Sequence, residues 1–307
     1  MRQTALKMVY ELAQENDRVV FIGSDLGPKV LLDMKEEMPE RFFMEGVSEQ
    51  ALVSMAAGMA MEGFKPYVNT IATFLTRRCF EQVAVDLCLH NLPVTLLSNG
   101  GGLVYAPLGP THLALEDIAI LRPLPNMTIC APSDAEEMRR LMKASLDWKG
   151  PMYIRFAKGG DPIVSSEDDD FQIGKAILRK PAGNVLAITT GITTNRALQA
   201  CDMLGEGINM GVLHMHTIKP LDVDAVLNAA KDVDLIVTIE EHMRTGGLGS
   251  AILEEVICDH QIKTPMLRLG LEDDFPHGYG SQDHLLEAAH LQPPQLAQKI
   301  TEAFSKL

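Results

Sequence analysis

The feature that most restricts this chain's fold is a repeated pairing of a short, wholly apolar run with an amphipathic or small-residue stretch. Val19-Val20-Phe21-Ile22, Val94-Thr95-Leu96-Leu97, Met127-Thr128-Ile129-Cys130 and Met152-Tyr153-Ile154-Arg155 are near-continuous runs, not alternating ones. Strands of that kind are buried on both faces, as in a parallel sheet covered by helices on each side. Helical stretches separate them over 3–15, 49–63 and 74–91, and another follows Ser133, where Ser-Asp-Ala-Glu reads as a capping box. The pattern predicts an α/β protein with a parallel, doubly wound sheet.

A polar, acidic, turn-rich stretch at 159–172 interrupts the alternation, which then restarts with Val185–Thr189, Met210–Met215, Leu235–Ile239 and Met266–Leu269 as strands and helices over 193–203, 222–230, from Gly249, and over 295–305. The 307 residues therefore divide into a first domain over 1–160, a linker over 161–175 and a smaller α/β domain over 176–307. A formal charge of −14 argues against a nucleic-acid or anionic-membrane surface. No apolar run reaches the ~18 residues of a membrane span. The first twenty residues carry Arg2, Lys7, Glu11, Glu15, Asp17 and Arg18, unlike a secretory signal, and the five cysteines show no CxxC. These traits predict a cytoplasmic protein.

Several positions carry chemistry. Glu49 follows a Gly46 turn and opens a helix of very small residues, a place that also suits a carboxylate for purely electrostatic reasons. Phe74 sits where a strand turns into a helix, with Arg77 and Phe80 just beyond it. His112 ends a Gly- and Pro-rich loop over 100–112, of the length and type that carries function. Arg155 lies at a strand's carboxyl end, where ligands of parallel sheets sit; a salt bridge to the acidic linker is its plainer reading. Asp25, after the first strand, suits a turn or helix cap equally well. Gly246-Gly247-Leu248-Gly249-Ser250 has the look of a phosphate cradle, and His214-Met215-His216 puts two imidazoles on one strand face. Both are read as structural.

In order along the chain stand Ser24-Asp25-Leu26, Gly46 to Glu49, Thr73-Phe74-Leu75, Gly109-Pro110-Thr111-His112, Leu121-Arg122-Pro123-Leu124-Pro125-Asn126, Ala131-Pro132-Ser133-Asp134, Tyr153-Ile154-Arg155, Thr217-Ile218-Lys219-Pro220-Leu221-Asp222 and Glu240-Glu241-His242. This succession resembles the carboxyl-terminal half of transketolase-like, thiamine-diphosphate enzymes, including 1-deoxyxylulose-5-phosphate synthase. The resemblance implies thiamine diphosphate as cofactor. Glu49 would bond N1′ of its aminopyrimidine, Phe74 would stack on that ring, and Asp25 and Leu26 would line the cofactor pocket. His112 would face the substrate in binding or proton transfer, and Arg155 would meet its anionic end. A buried carboxyl suits the first role because it can share a proton with the ring nitrogen.

The family's Gly-Asp-Gly motif, which holds Mg2+ and the diphosphate, is missing from this sequence. The resemblance thus implies one half of a split enzyme: a separate N-terminal diphosphate-binding subunit, an α2β2 assembly, and metal held by that partner. The helix over 51–63 is a candidate packing surface. The expected reaction is transfer of a two-carbon ketol unit between a ketose and an aldose. Gly100 and Pro107-Leu108 stand where sugar-phosphate transketolases carry polar groups, which points to an atypical ketose or a 2-oxo acid donor. The alternatives are a decarboxylating carboligase like deoxyxylulose-phosphate synthase, the β subunit of a 2-oxo acid dehydrogenase, and a non-catalytic partner that keeps the fold.

Overall fold

The computed structural model describes residues 1–25 and 28–307. Its first half contributes strands β1 (Val19–Gly23), β2 (Phe42–Met44), β3 (Lys65–Ile71), β4 (Thr95–Asn99), β5 (Thr128–Cys130) and β6 (Met152–Phe156). The second contributes β7 (Ile177–Lys180), β8 (Val185–Thr189), β9 (Met210–His214), β10 (Thr217–Lys219), β11 (Leu235–Met243) and β12 (Met266–Leu271). One sheet has the order β10-β5-β6-β4-β3-β1-β2 and the other β12-β11-β8-β9-β7. Every pairing is parallel except β10 with β5 and β7 with β9. Strands β1, β4, β6, β8 and β9 are buried at every position. That burial is why their sequences read as continuous apolar runs. Both apolar clusters contain residues of both halves, so the two sheets share their core; Leu6, Ile154 and Val237 belong to one of them.

Four local expectations change. The helix after Ser133 is capped by Asp134, whose Oδ1 accepts the backbone N–H groups of Glu136 and Glu137 at 3.0 and 2.9 Å. The frame shifts by one residue because the Asp134 carboxylate, as good a cap as a serine hydroxyl, accepts both donors, and Glu137 accepts from the Ser133 N–H. The helix expected over 74–91 is three pieces: Ala72–Thr76, Phe80–Gln82 and a wide π-helical turn, Val83–Leu89. The break falls where adjacent arginines are drawn apart, Arg77 to Glu116 and Arg78 to Glu49. Strands β2, β7 and β10 and the helix Gln282–Ala288 were not signalled by the sequence, being short or half-exposed. Finally, the acidic stretch after β6 is no loose tether. Val164 and Ser165 donate to Asp134, and Asp169 pairs with Arg179.

The two histidines of β9 and the residues after it are structural parts of the seam between the halves. His214 bonds Glu137 through Nε2 at 2.8 Å and meets the Thr194 hydroxyl through Nδ1 at 2.7 Å. His216 stacks on Phe171 with ring centroids 4.4 Å apart. Burial tends to raise the Glu137 carboxyl, but His214, His216 and the Ser133 N–H together outweigh it and hold it down at about 2. Burial, with His214 and Arg140 adding to it, holds His216 down at about 4 against the pull of Glu137. A histidine depressed on folding stabilises above its ordinary value, 6.5, and the contribution is lost as pH falls from there toward 4. Between pH 7 and pH 5, His216 is expected to cost the protein on the order of 2 kcal/mol. Urea midpoints of wild type and His216→Phe at both pH values read this directly. Equal pH slopes in the two proteins refute it.

Candidate active site

Four strands of the first sheet deliver their carboxyl ends to one edge. β1 ends at Gly23, β3 runs into the helix Ala72–Thr76, β4 into the loop over 100–112, and β6 ends at Phe156. Because these strands are parallel, the groups that follow them gather on one rim, the usual ligand edge of such sheets.

Glu49 opens the helix Glu49–Met61 and is 1% exposed. Its position in the first turn favours a negative charge there. The helix can lie close to its sheet because Ala56, Ala57 and Ala60 are buried with Leu52 and Val53 along the same face. The Glu49 Oε2 atom accepts a hydrogen bond from Arg78 Nη1 at 2.6 Å. Arg78 in turn lies over the Phe74 ring, its Cζ 4.3 Å from the centroid. Phe74 also meets His112, edge-on with centroids 5.4 Å apart. Glu49, Phe74 and His112 thus form one cluster, linked by Arg78, which the sequence reading did not single out. The signal that would have found it is an arginine one turn beyond Phe74, in reach of both the ring and Glu49.

The loop that carries His112 is held on three sides. Arg77 donates from Nη1 to the Pro110 carbonyl at 3.5 Å and from Nη2 to that of Leu113 at 2.9 Å, bracketing the histidine, and its remaining reach is taken by Glu116. The Thr111 hydroxyl lies 2.8 Å from His112 Nδ1. From the second half, Glu241 Oε1 accepts the Leu103 N–H at 2.9 Å and Gln282 Nε2 at 2.8 Å. Burial pushes the Glu241 carboxyl up, opposed mainly by Arg155. The glycines of this loop answer to these packings. Gly100 has φ +77°, with the Tyr105 ring 2.1 Å from where a Cβ would stand. Gly102 has φ +66°, with the Glu241 carboxylate carbon 2.5 Å from its own. Any side chain there meets both strain and collision. Leu108 is exposed in the turn Ala106–Leu108.

Arg155 sits below the loop and is 6% exposed. Its Nε donates to Asp117 at 2.8 Å, and its Nη2 donates to the carbonyls of Ala114 and Glu241 at 3.1 and 2.8 Å. The partner is therefore Asp117, not the acidic linker, and the guanidinium faces protein groups of both halves. Tyr153 donates to the same Asp117 oxygen at 2.7 Å. Asp25 is exposed, accepts from Ser24 Oγ at 3.0 Å, and has no recorded contact with Glu49, Phe74 or His112 among the described residues. Leu26 lies outside the described residues. The glycine-rich turn at 246–250 is filled from within: Glu240 accepts the N–H groups of Leu248 and Gly249 at 2.7 and 2.8 Å. Burial raises that carboxyl to about 7, against those two N–H groups. A cleft of about 630 Å3, lined in part by Ala119, Arg122, Lys219 and Glu254, shares no residue with the Glu49 cluster.

A buried carboxylate, an aromatic face beside it and a flat cation already touching both form a set of contacts that fits an aminopyrimidine ring. Among the described residues, no group of three or more His, Cys, Asp or Glu is placed to hold a metal ion.

The cluster thus sits on the carboxyl rim of a parallel sheet that is followed by a second α/β unit, the architecture of a two-domain α/β protein. Residues 1–160 match the family model for the transketolase pyrimidine-binding domain, and residues 174–296 match that for the transketolase C-terminal domain. The chain belongs to the transketolase family. It is 34% identical over 307 residues to the 6-deoxy-6-sulfo-D-fructose transketolase subunit of Clostridium sp. (strain MSTE9), spanning 98% of this chain and 94% of that one. It is 35% identical over 301 residues to 1-deoxy-D-xylulose-5-phosphate synthase of Gloeobacter violaceus, covering 96% of this chain but 47% of the synthase. The chain therefore spans about half the length of such single-chain relatives. Among solved structures, a split-gene transketolase in an inactive β4 tetramer superposes with a TM-score of 0.90 at 34% identity, covering 99% of this chain and 98% of that one. Family membership implies thiamine diphosphate as the cofactor. No helix among the described residues is long and apolar enough to cross a membrane.

Proposed function

We propose that the chain is the pyrimidine-binding subunit of a two-subunit, thiamine-diphosphate-dependent transketolase acting in the cytoplasm. The observation that carries this reading is the Glu49–Arg78–Phe74–His112 cluster on the carboxyl rim of the first sheet. When bound, thiamine diphosphate supplies the carbanion chemistry of two-carbon transfer. Glu49 holds a proton at N1′ of the aminopyrimidine, and Phe74 offers the ring a flat apolar face. His112, fixed by Arg77 and Thr111, addresses the substrate. Asp25, just past the end of β1, borders the cofactor, and the resemblance implies the same role for Leu26. Arg155 supports the substrate loop from below through Asp117 and the Ala114 carbonyl, in addition to the anion-facing role that the resemblance implies.

A partner subunit supplies the diphosphate site and Mg2+, in an α2β2 assembly. Full-length likeness to split subunits, and half-length likeness to a single-chain synthase, support this division of labour. The inactive state of the β4 tetramer supports a need for that partner. Val47, Met61, Val85 and Leu89 leave apolar surface around the Glu49–Met61 helix and the turn packed on it, in keeping with an interface there. The donor is a ketose, and likeness to a subunit acting on a sulfonated deoxyketose favours a modified one.

Likeness to deoxyxylulose-phosphate synthase favours decarboxylating carboligation as the second reading. Supplying the reconstituted pair with a ketose or with pyruvate separates the two. Turnover of ketose and aldose is expected; carbon dioxide release from pyruvate without ketose turnover overturns the transketolase reading. His112→Ala is expected to lower kcat/KM for the ketose about tenfold, the loss of one substrate hydrogen bond. An unchanged kcat/KM removes His112 from the site.

A further inference from the structure

Arg78 makes both of the contacts that an aminopyrimidine requires. Its Nη1 lies 2.6 Å from Glu49 Oε2, and its guanidinium carbon lies 4.3 Å from the Phe74 centroid. A guanidinium is flat, delocalised and rich in N–H donors, so it stacks and bonds a carboxylate as a protonated heterocycle does. A second flat group cannot stack on that ring face and bond that carboxylate from the same side while the guanidinium lies there. We propose that Arg78 is a displaceable gate of the pyrimidine site: it occupies the site in the cofactor-free subunit and swings out on loading. This inference rests on the cofactor assignment made above.

Two further observations favour a gate over a fixed strut. Arg78 emerges from the break at 77–79, between two helical pieces, and its side chain is 42% exposed. Its bond to Glu49 is the sole hydrogen bond recorded for it among the described residues, whereas neighbouring Arg77 is tied to Glu116 and to two carbonyls. Water is therefore within reach of Arg78, and nothing but Glu49 and the Phe74 face retains it. The carboxylate has the opposite problem. Buried and unpaired, Glu49 would destabilise the subunit, because a buried charge without a partner is costly. Arg78 neutralises it until a ring replaces the arginine. The closed state lowers the apparent cofactor affinity by the fraction of molecules that are open.

The test uses the complex reconstituted with its diphosphate-binding partner, titrated with thiamine diphosphate and Mg2+ by calorimetry, and followed by stopped-flow fluorescence. Arg78→Ala is expected to bind the cofactor about tenfold more tightly than wild type. Its observed association rate should rise linearly with cofactor concentration, whereas the wild-type rate levels off at the opening rate. Arg78→Lys, which keeps the charge but stacks less well, should fall between the two. Sedimentation of each variant with the partner reports whether assembly is intact. Unchanged or weaker cofactor binding in assembled Arg78→Ala and Arg78→Lys overturns the gate and leaves the functional reading standing. Absence of cofactor binding in wild type and variants alike overturns both.

Discussion

Glu49→Gln is expected to reduce turnover of the assembled enzyme by at least ~10²-fold, the usual scale for losing a positioned proton-transfer group. The substitution keeps the shape and one hydrogen-bond acceptor but removes the carboxylate's ability to hold a proton at the ring nitrogen. It should not disturb folding: Arg78, which loses its charged partner, is partly exposed and can turn to water. Ketose turnover, measured at saturating cofactor, reads the chemistry, and sedimentation with the partner subunit reads assembly. A complex that assembles normally and retains activity within threefold of wild type removes Glu49 from catalysis. A complex that fails to assemble makes the residue structural.

The second large effect is on stability. Asp117→Ala should destabilise the protein by about 3–5 kcal/mol, because it strands the Arg155 guanidinium in the interior. Asp117 is 1% exposed and accepts from both Arg155 Nε and the Tyr153 hydroxyl. Burial opposes charge on Arg155, and Asp117 and then Glu241 are what hold it charged. Replacing both partners by apolar groups, Asp117→Leu with Arg155→Met, should recover part of that loss: the charges go together, while the Tyr153 hydroxyl and the Ala114 and Glu241 carbonyls lose a partner. Urea unfolding of Asp117→Leu, Arg155→Met and the double variant gives the coupling. If the double variant is as unstable as Asp117→Ala, the pair is not the source of the effect.

The strands were legible because burial on both faces concentrates apolar residues and confines polar ones largely to the strand ends; β1, β6, β8 and β9 are the clearest cases. What escaped was set by tertiary contacts. β10 carries three residues and exists only because β5 offers an edge. The break at 77–79 follows from where two neighbouring arginines find their carboxylates, far away in sequence. In the site, Glu49 and Phe74 stand in short motifs that sequence can display. The roles of Arg78, Asp117 and Glu241 depend on partners 29, 38 and 138 residues distant, which no local pattern encodes. For Arg155, sequence position at a strand end was informative about place and silent about its buried surroundings.

The strand that crosses between the halves limits how this protein can be taken apart. β10 belongs by sequence to the second half and by pairing to the first sheet. A chain cut within 161–175 would leave β5 as a bare edge on one fragment and an unpaired strand on the other, with apolar clusters torn between them. Exposed edges of that kind recruit other chains. Division of this fold at the acidic strap would therefore release two fragments prone to aggregate. The unit that can move intact between genomes, or be fused to a new neighbour, is the pair of sheets together.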